Sequence, residues 1–164
     1  MALNVVLVEP EIPQNTGNIV RTCAATGTNL YLIKPLGFSL NDKYLKRAGL
    51  DYWKSVNIKI YDNFSQLLDE NKGKLFYYCS TKAPNCYCDV RYTNNCFLVF
   101  GKETAGLPEQ LLLDNYSQCI RIPMKDDIRS LNLSNSVAII LYEALRQLQF
   151  DGLRKTGALN YKKQ

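Results

Sequence analysis

The chain has 164 residues, 46% of them hydrophobic and 21% charged, and a formal net charge of +5 at pH 7. This length and composition predict one folded domain with a sizeable core and exclude a wholly disordered chain. The sequence contains no histidine, which excludes Ser-His-Asp and Cys-His catalytic systems and H-E-x-x-H zinc sites.

The sequence lacks the features of an exported or membrane protein. No apolar run approaches the roughly 20 residues that are needed to cross a bilayer. The segment MALNVVLVEPEIPQ lacks the basic start of a secretory signal peptide. We therefore expect a cytoplasmic protein without membrane contacts.

The cysteines of the chain include no C-x-x-C pair, so we expect no disulfide framework. The CYC at 86–88 invites a metal interpretation. With no histidine and no second pair of cysteines to complete a ligand set, we expect no metal site.

Short apolar runs alternate with helical patterns along the chain. Strands are predicted at 3–9, 29–34, 56–61, 74–80, 96–101 and 118–123, and helices at about 17–26, 42–48, 63–71, 108–114 and 134–149. Apolar strands separated by helices are typical of a mostly parallel sheet covered on both faces. We therefore predict an α/β fold with one domain over residues 1–150 and a polar, basic tail over 151–164.

The last predicted helix has a core face and an unusual second face. Its apolar residues from Val137 to Leu148 recur at helical spacing and form one stripe. Ile139 and Tyr142 lie off that stripe. They give the helix an apolar surface that a partner could cover.

The first of three unusual polar segments, EPEIPQNTGNIVRTCAATG (9–27), follows the first predicted strand. Open α/β sheets bind ligands at the carboxyl ends of their strands. In the plainer interpretation, Asn15 or Thr16 caps a helix and Arg21 is a solvated charge. In the functional one, Arg21 lies at a site one turn from a helix N-terminus, a place that favours phosphate.

The second segment, FGKETAGLPEQLL (100–112), has glycines at 101 and 106 but no following Lys-Ser or Lys-Thr, which excludes a phosphate-binding P-loop. Glycines at a strand end allow a ligand to approach the backbone closely. Glu103 beside them could accept ribose hydroxyls, orient a group or stabilise a cation. The alternative is a plain turn that leads into a helix started by Pro108.

The third segment, IPMKDDIRSLNLSNS (122–136), changes from a charged loop to alternating polar and apolar residues. Its serines and asparagines supply neutral hydrogen-bonding groups, with Leu131 and Leu133 between them. This mixture suits a pocket for adenine or a nucleoside. Asn132 or Ser134 is also expected to cap the last helix.

In order and spacing, NTGNIVRTC, FGKETAGLP and IPMKDDIRSLNLSNSVAIILYEA resemble the three motifs of the SPOUT RNA 2′-O-ribose methyltransferases. EPEIPQNTGNIVRTCAATG and LKRAGLDYW are most similar to the minimal, single-domain branch, which methylates the wobble nucleotide (cytidine or modified uridine, position 34) of leucine tRNAs. The resemblance covers nearly all of residues 1–150. It implies S-adenosylmethionine as cofactor, a homodimer and a deep trefoil knot at about 75–150.

The resemblance also implies where the cofactor lies, between three loops at the ends of strands. Backbone groups would hold its adenine and ribose, with one serine nearby. The residues at the matching positions are Cys79, Gly101, Ile122, Leu131 and, as the serine, Ser130.

The same resemblance implies the catalytic residues. Arg21 would activate the ribose hydroxyl, Asn15 and Glu103 would orient the site, and Asn135 would steady the junction before the last helix. Methyl transfer from a sulfonium needs no general acid because the leaving group is a neutral thioether, which suits a chain without histidine. A guanidinium, with a pKa above about 12, is a poor literal base. Action through a neighbouring phosphate is chemically easier.

A further segment, NDKYLKRAGLDYWK (41–54), mixes basic and aromatic residues. Single-stranded RNA loops are bound by charge on the phosphates and by stacking on the bases. We therefore predict RNA contacts from Lys43, Lys46, Arg47 and Trp53. The plainer alternative is an amphipathic helix with a solvated basic face.

Other functions stay open at this point. Motif residues set the chemistry rather than the target, so the chain could methylate another tRNA or rRNA ribose. It could also be a catalytically inactive RNA-binding module, although its intact motifs count against decay. A flavodoxin-like nucleotide protein is a weaker alternative that flavin absorbance would reveal.

Overall fold

The computed structural model describes residues 2–40 and 52–159. Within them, parallel strands form one sheet flanked by helices. In chain order the elements are β1 (Asn4–Val8), α1 (Pro13–Thr26), β2 (Asn29–Ile33), β3 (Ile58–Tyr61), α2 (Phe64–Glu70), β4 (Phe76–Cys79), β5 (Asn85–Cys86), β6 (Phe97–Phe100), α3 (Glu109–Asp114), a 3₁₀ turn (Tyr116–Gln118), β7 (Cys119–Arg121) and α4 (Leu133–Gln147).

The sheet formed by the described residues has seven strands in the order β3-β2-β1-β6-β4-β7-β5. Each neighbouring pair is parallel, so the predicted α/β class with a parallel sheet is confirmed. Strands β2 and β3 lie on one side of β1, and the later strands β4 to β7 lie on the other side. The carboxyl ends of β1, β6 and β4 therefore meet where the strand order reverses, which is where such sheets bind ligands.

The sheet separates two cores, because successive side chains of a strand point to opposite faces. Val5 and Leu7 belong to the core that contains the buried faces of α1 and α4. Val6 and Val8 belong to the core that contains Leu67 of α2 and Leu112 of α3. Both faces of the sheet are therefore covered, as the continuous apolar strands predict.

Helix α1 begins earlier than the predicted residue 17. Pro13 is its first residue, and proline suits that position because its fixed φ is already helical. Asn15 and Thr16 consequently lie inside the first turns and are buried. The prediction that one of them caps the helix is therefore wrong. Gly27 follows the last residue of α1 with a φ of 65°.

Helix α4 agrees with its predicted pattern. Its stripe is buried at Val137, Ile140 and Leu141, while Ile139 is 37% and Tyr142 46% exposed. The Asn132 side chain caps the helix by accepting two backbone N–H groups. Of the two predicted caps, Asn132 is therefore the one that the structure uses.

Some features differ from the predictions or lie beyond them. Strand β5 was not predicted, since a strand of two residues has no detectable alternation. The predicted helix at 42–48 lies outside the described residues. After α4, Phe150 and Leu153 pack against the core. Among the described residues, no helix combines the length and apolar character needed to cross a membrane.

Candidate functional site

A cleft of about 580 Å³ opens at the carboxyl ends of β4 and β6. Its walls are the loop after β4, the loop after β6 and the residues that precede α4. A smaller hollow beside β7 is also lined by the loop after β4 and by the residues that precede α4. The residues predicted to hold the cofactor all line one or both of these spaces: Cys79, Gly101, Ile122, Ser130 and Leu131.

The lining of the smaller hollow combines apolar side chains with neutral hydroxyls. Ile120, Met124 and Ile140 supply apolar surface, and Ser80 and Ser136 supply hydroxyl groups. Sites for small organic ligands typically pair an apolar wall with a few neutral polar groups. The donors present here therefore fit an adenine or a nucleoside.

The loop after β6 is folded tightly on itself. The Gly106 N–H donates to the Lys102 carbonyl at 2.8 Å, and Gly106 has a φ of 71°. A Cβ at Gly101 would come within 2.0 Å of the Gly106 carbonyl carbon and 2.2 Å of the Leu107 nitrogen. Glycine alone fits at position 101, because the loop's own backbone fills the space that a side chain would need.

Glu103 of this loop is held by protein donors. Its Oε2 atom accepts the backbone N–H of Glu11 at 2.8 Å. Its Oε1 atom accepts the backbone N–H of Ile12 at 3.2 Å and Nδ2 of Asn15 at 3.1 Å. Because Ile12 directly precedes α1, the carboxylate lies at a helix N-terminus, where negative charge is favourable. Glu103 therefore fixes α1 to the loop after β6.

Asn15 extends this contact to the third wall of the cleft. Its Oδ1 atom accepts Nδ2 of Asn132 at 3.0 Å. Asn132 Oδ1 accepts the backbone N–H groups of Ser134 at 2.9 Å and Asn135 at 3.4 Å. A continuous run of hydrogen bonds thus leads from the loop after β6, through α1, to the first turn of α4. The predicted orienting residues Asn15 and Glu103 are brought together in it.

Glu11 is a site residue that the sequence analysis missed. Its Oε2 atom accepts the Thr104 backbone N–H at 3.1 Å and the Thr104 hydroxyl at 2.8 Å. Glu11, in the loop after β1, therefore binds the loop after β6, and Glu103, in the loop after β6, binds the loop after β1. The available signal was a second carboxylate in EPE directly after the first strand.

Arg21 lies apart from this network. Of the described residues, those that line the cleft do not include Arg21. Its side chain is exposed on α1, with Cζ 5.2 Å from the centre of the Tyr52 ring, and Nη2 donates to the Tyr52 hydroxyl at 3.5 Å. A guanidinium over an aromatic face is held by cation–π attraction. The exposed Arg21 guanidinium therefore contacts Tyr52 and not the residues of the cleft.

The other predicted residues divide into two groups. Asn135 is exposed and joins the α4 cap through its backbone N–H. Trp53 is half-buried and packs against the core. The remaining residues predicted to contact RNA, which are Lys43, Lys46 and Arg47, lie outside the described residues.

Cys79 lies at the end of β4 and forms part of the cleft lining. Burial raises the pKa of its thiol well above the usual value of 9.0. The thiol therefore stays protonated at neutral pH, and a protonated thiol is a poor nucleophile. Cys79 therefore lines the cleft without the reactivity of a covalent catalyst.

Residues 2–142 match the model of the SpoU rRNA Methylase family. The chain belongs to the SpoU methylase family. A Yersinia pestis relative, named tRNA (cytidine(34)-2'-O)-methyltransferase, is 50% identical over 157 residues, which are 92% of this chain and 96% of that protein. The resemblance found in the three sequence motifs is confirmed.

Solved structures agree with this assignment. One, described as giving structural insights into the 2-OH methylation of C/U34 on tRNA, has a TM-score of 0.86 and 43% identity over 90% of this chain and 97% of that chain. Another is the SpoU methyltransferase AviRb from Streptomyces viridochromogenes in complex with the cofactor AdoMet (S-adenosylmethionine). It has a TM-score of 0.80 and 25% identity over 90% of this chain and 61% of that chain.

Proposed function

We propose that this chain methylates the 2′-oxygen of the ribose at position 34 of tRNA. The observation that carries the proposal is a pair of hydrogen bonds made by Asn15, one with Glu103 and one with Asn132. They join the three motif segments around one cleft. Cytidine at position 34 is supported by the name of the Yersinia pestis relative.

S-adenosylmethionine is the methyl donor. When bound, it supplies a methyl group on a positively charged sulfonium, with a neutral thioether as the leaving group. The residues that fit it are those of the cleft: the backbone of the loop at Gly101, and the neutral hydroxyls and apolar side chains around Ser130 and Leu131. They would bind the donor and orient its methyl group for transfer.

Arg21 has the chemistry to bind the RNA near its target ribose. Its guanidinium is exposed, and Tyr52 holds it over a ring face. A planar guanidinium binds phosphate through two parallel hydrogen bonds. In this proposal Arg21 anchors the phosphate beside the target nucleotide, which positions the 2′-hydroxyl. Its positive charge also favours release of the hydroxyl proton to solvent. Asn15 and Glu103 fix the position of α1, and therefore of Arg21, relative to the cleft.

The substrate can be specified further within the same proposal. We take leucine tRNAs, with cytidine or a modified uridine at position 34, as the targets that the sequence motifs imply. The basic and aromatic segment at 41–54, with Lys43, Lys46, Arg47 and Trp53, would bind the anticodon loop. For an enzyme with such a substrate we expect a cytoplasmic location.

Two features of architecture complete the proposal. A homodimer would cover Ile139 and Tyr142, the apolar residues that α4 exposes.

A deep trefoil knot at about 75–150, within a domain of residues 1–150, agrees with the placement of β6 between β1 and β4 and of β7 beyond β4. Residues 151–164 would follow the domain as a basic tail whose first part is held by the packing of Leu153 against the core.

Methyl transfer from labelled S-adenosylmethionine to total tRNA that lacks this modification tests the proposal. We expect label in a 2′-O-methylated pyrimidine at position 34, identified by nucleoside analysis and by mapping the labelled fragment. Label in another tRNA or rRNA ribose would keep the chemistry but overturn the target. Tight cofactor binding without transfer to tRNA or rRNA would favour an inactive RNA-binding module.

A further inference from the structure

Two cysteines outside the cleft lie unusually close together. Cys86 ends the edge strand β5, and its Sγ atom is 3.2 Å from Sγ of Cys88. The S–S bond of a disulfide is about 2.05 Å long, so the two sulfurs need to approach by only about 1.2 Å to form one. Cys86 is half-buried and Cys88 is exposed, so small reagents can reach the pair.

The backbone between the two sulfurs is held in place. The Asp89 N–H donates to the Cys86 carbonyl at 3.1 Å and closes a tight turn. The Tyr87 N–H donates to the Arg121 carbonyl of β7 at 2.9 Å, and the Tyr92 hydroxyl donates to the Tyr87 carbonyl at 2.6 Å. The proximity of the sulfurs is therefore built into the fold of this turn.

The other cysteines are unsuited to the same chemistry. Burial raises the pKa of Cys23 to about 12 and that of Cys96 to about 11. Cys119 is buried, and Cys79 lies in the cleft lining. Thiol exchange requires an accessible thiolate. Within the described residues, accessible neighbouring thiols occur together only at 86–88.

We propose that Cys86 and Cys88 form a reversible disulfide by exchange with small-molecule disulfides of the glutathione type. The Cys86 thiolate attacks one sulfur of the reagent, forms a mixed disulfide and releases one reagent thiolate. Cys88 then loses its proton and attacks Cys86 Sγ, which closes the Cys86–Cys88 bond and releases the second thiolate. Two protein thiols are oxidised, and one reagent disulfide is reduced to two thiols.

The two thiols are chemically equivalent starting points. The hydrogen bond between them raises the pKa of Cys88, but exchange that starts at Cys88 gives the same Cys86–Cys88 bond, because Cys86 then attacks the mixed disulfide on Cys88. A disulfide across so short a loop is strained, and strained exposed disulfides are the readily reduced, labile ones. The pair is thus suited to a reversible modification rather than to a structural cross-link.

Native protein is equilibrated with graded ratios of oxidised to reduced glutathione, then unfolded in denaturant with an alkylating reagent that labels every free thiol, and digested with trypsin. Cleavage after Lys82 and Arg91 releases APNCYCDVR, which contains both cysteines and no other. We expect this peptide to lose both labels and two hydrogens, while peptides with Cys23 and Cys96 stay labelled. Cys88→Ser should stop at a glutathione adduct on Cys86.

The synthetic peptide APNCYCDVR is the matched control for the effect of the fold. Because the turn holds the sulfurs together, we expect the protein to oxidise at an about tenfold lower ratio of oxidised to reduced glutathione than the peptide. Equal ratios for the two, or a stable glutathione adduct on the wild-type protein, would overturn the proposal. Labelling of the pair that appears only after a chelator is added would also overturn it, because a bound metal would then protect the thiols. Cys86, Cys88 and Asp89 place possible metal-ligand atoms within 4.8 Å of one another.

Discussion

The side chains of Asn15 and Asn132, 117 residues apart in the chain, meet in an amide–amide hydrogen bond of 3.0 Å. Asn15 also donates to Glu103, and Asn132 also caps α4. Together these bonds connect α1 to two walls of the cleft, the loop after β6 and the residues that precede α4. Because those walls are loops, their relative positions depend strongly on such side-chain bonds.

Replacing Asn132 with alanine removes both the cap and the contact with Asn15. A helix cap contributes about 1 kcal/mol, and a neutral hydrogen bond contributes about 1 kcal/mol more. We expect the free energy of unfolding to fall by about 2 kcal/mol and the Kd for S-adenosylmethionine to rise by about tenfold. Denaturant unfolding and isothermal titration calorimetry measure the two quantities.

Asn63→Ala is the matched control for this variant. Asn63 caps α2 in the same way, by accepting the Gln66 N–H at 3.0 Å, but it does not line the cleft. It should lose about 1 kcal/mol of stability with unchanged cofactor affinity. If Asn132→Ala also binds with unchanged affinity, the contact between the walls does not shape the cleft.

Glu103→Gln tests the carboxylate that fixes α1. A glutamine has one acceptor oxygen, so its NH₂ group would face an N–H donor at Glu11 or at Ile12 and Asn15. Hydrogen bonds to a charged group contribute about 1.5–3 kcal/mol, so we expect a loss of about 2 kcal/mol in unfolding free energy and lower methyl transfer. Asp62→Asn is the control, because its ion pair with Lys34 is exposed and should contribute less than about 1 kcal/mol.

Gly101→Ala tests the tight loop. The new Cβ would overlap the Gly106 and Leu107 backbone at 2.0–2.3 Å, which neither side can relieve without moving the loop. We expect a loss of about 3 kcal/mol or more and no measurable cofactor binding. Gly157→Ala has nothing within 4 Å of its Cβ, so it should stay within about 0.5 kcal/mol of wild type. Normal cofactor binding by Gly101→Ala would contradict the geometry.

Much of this fold could be predicted because local patterns encode it. The run Val5 to Val8 is apolar at every position, and the structure buries all of it between two helical layers. The strand order has no such signal. Val6 pairs with Val99, a contact between distant segments that periodicity does not reveal.

The candidate site shows a similar division. The motif resemblance identified Asn15, Glu103 and Leu131, which the structure places around one cleft. The plainer interpretation made Asn15 or Thr16 a cap, because it started the helix at about residue 17 and not at Pro13. The bond between Asn15 and Asn132 depends on two distant loops meeting, and a single sequence does not contain that information.

Glu143 predicts a pH dependence of stability. It accepts Arg146 Nε at 2.8 Å and Nη2 at 2.9 Å, and this hydrogen-bonded pair holds the pKa of its carboxyl below the usual 4.5. A lowered folded-state pKa stabilises the protein above the unfolded-state pKa, and that stability is lost as pH falls through the folded value.

We therefore expect Glu143→Gln to be less stable than wild type at pH 7 and the difference to shrink as the pH falls below about 4. Unfolding free energies of both proteins across this range measure it. A difference that does not change with pH would assign the effect to packing instead of charge.

Arg21 gives the most direct test of the proposed mechanism. Its exposed guanidinium contacts Tyr52 and lies outside the cofactor cleft, so Arg21→Ala should leave the Kd for S-adenosylmethionine unchanged. If the guanidinium anchors a phosphate beside the target ribose, we expect methyl transfer to fall by at least about a hundredfold. Loss of the contact with Tyr52 should reduce stability by about 1 kcal/mol or less.

Two further variants separate charge from geometry at this position. Arg21→Lys keeps the positive charge but not the planar pair of donors, so its turnover should lie between those of wild type and Arg21→Ala. Arg91→Ala removes another exposed arginine and should leave transfer unchanged. Unchanged turnover in Arg21→Ala, measured with saturating cofactor and tRNA, would remove Arg21 from the mechanism, because no step could then depend on its guanidinium.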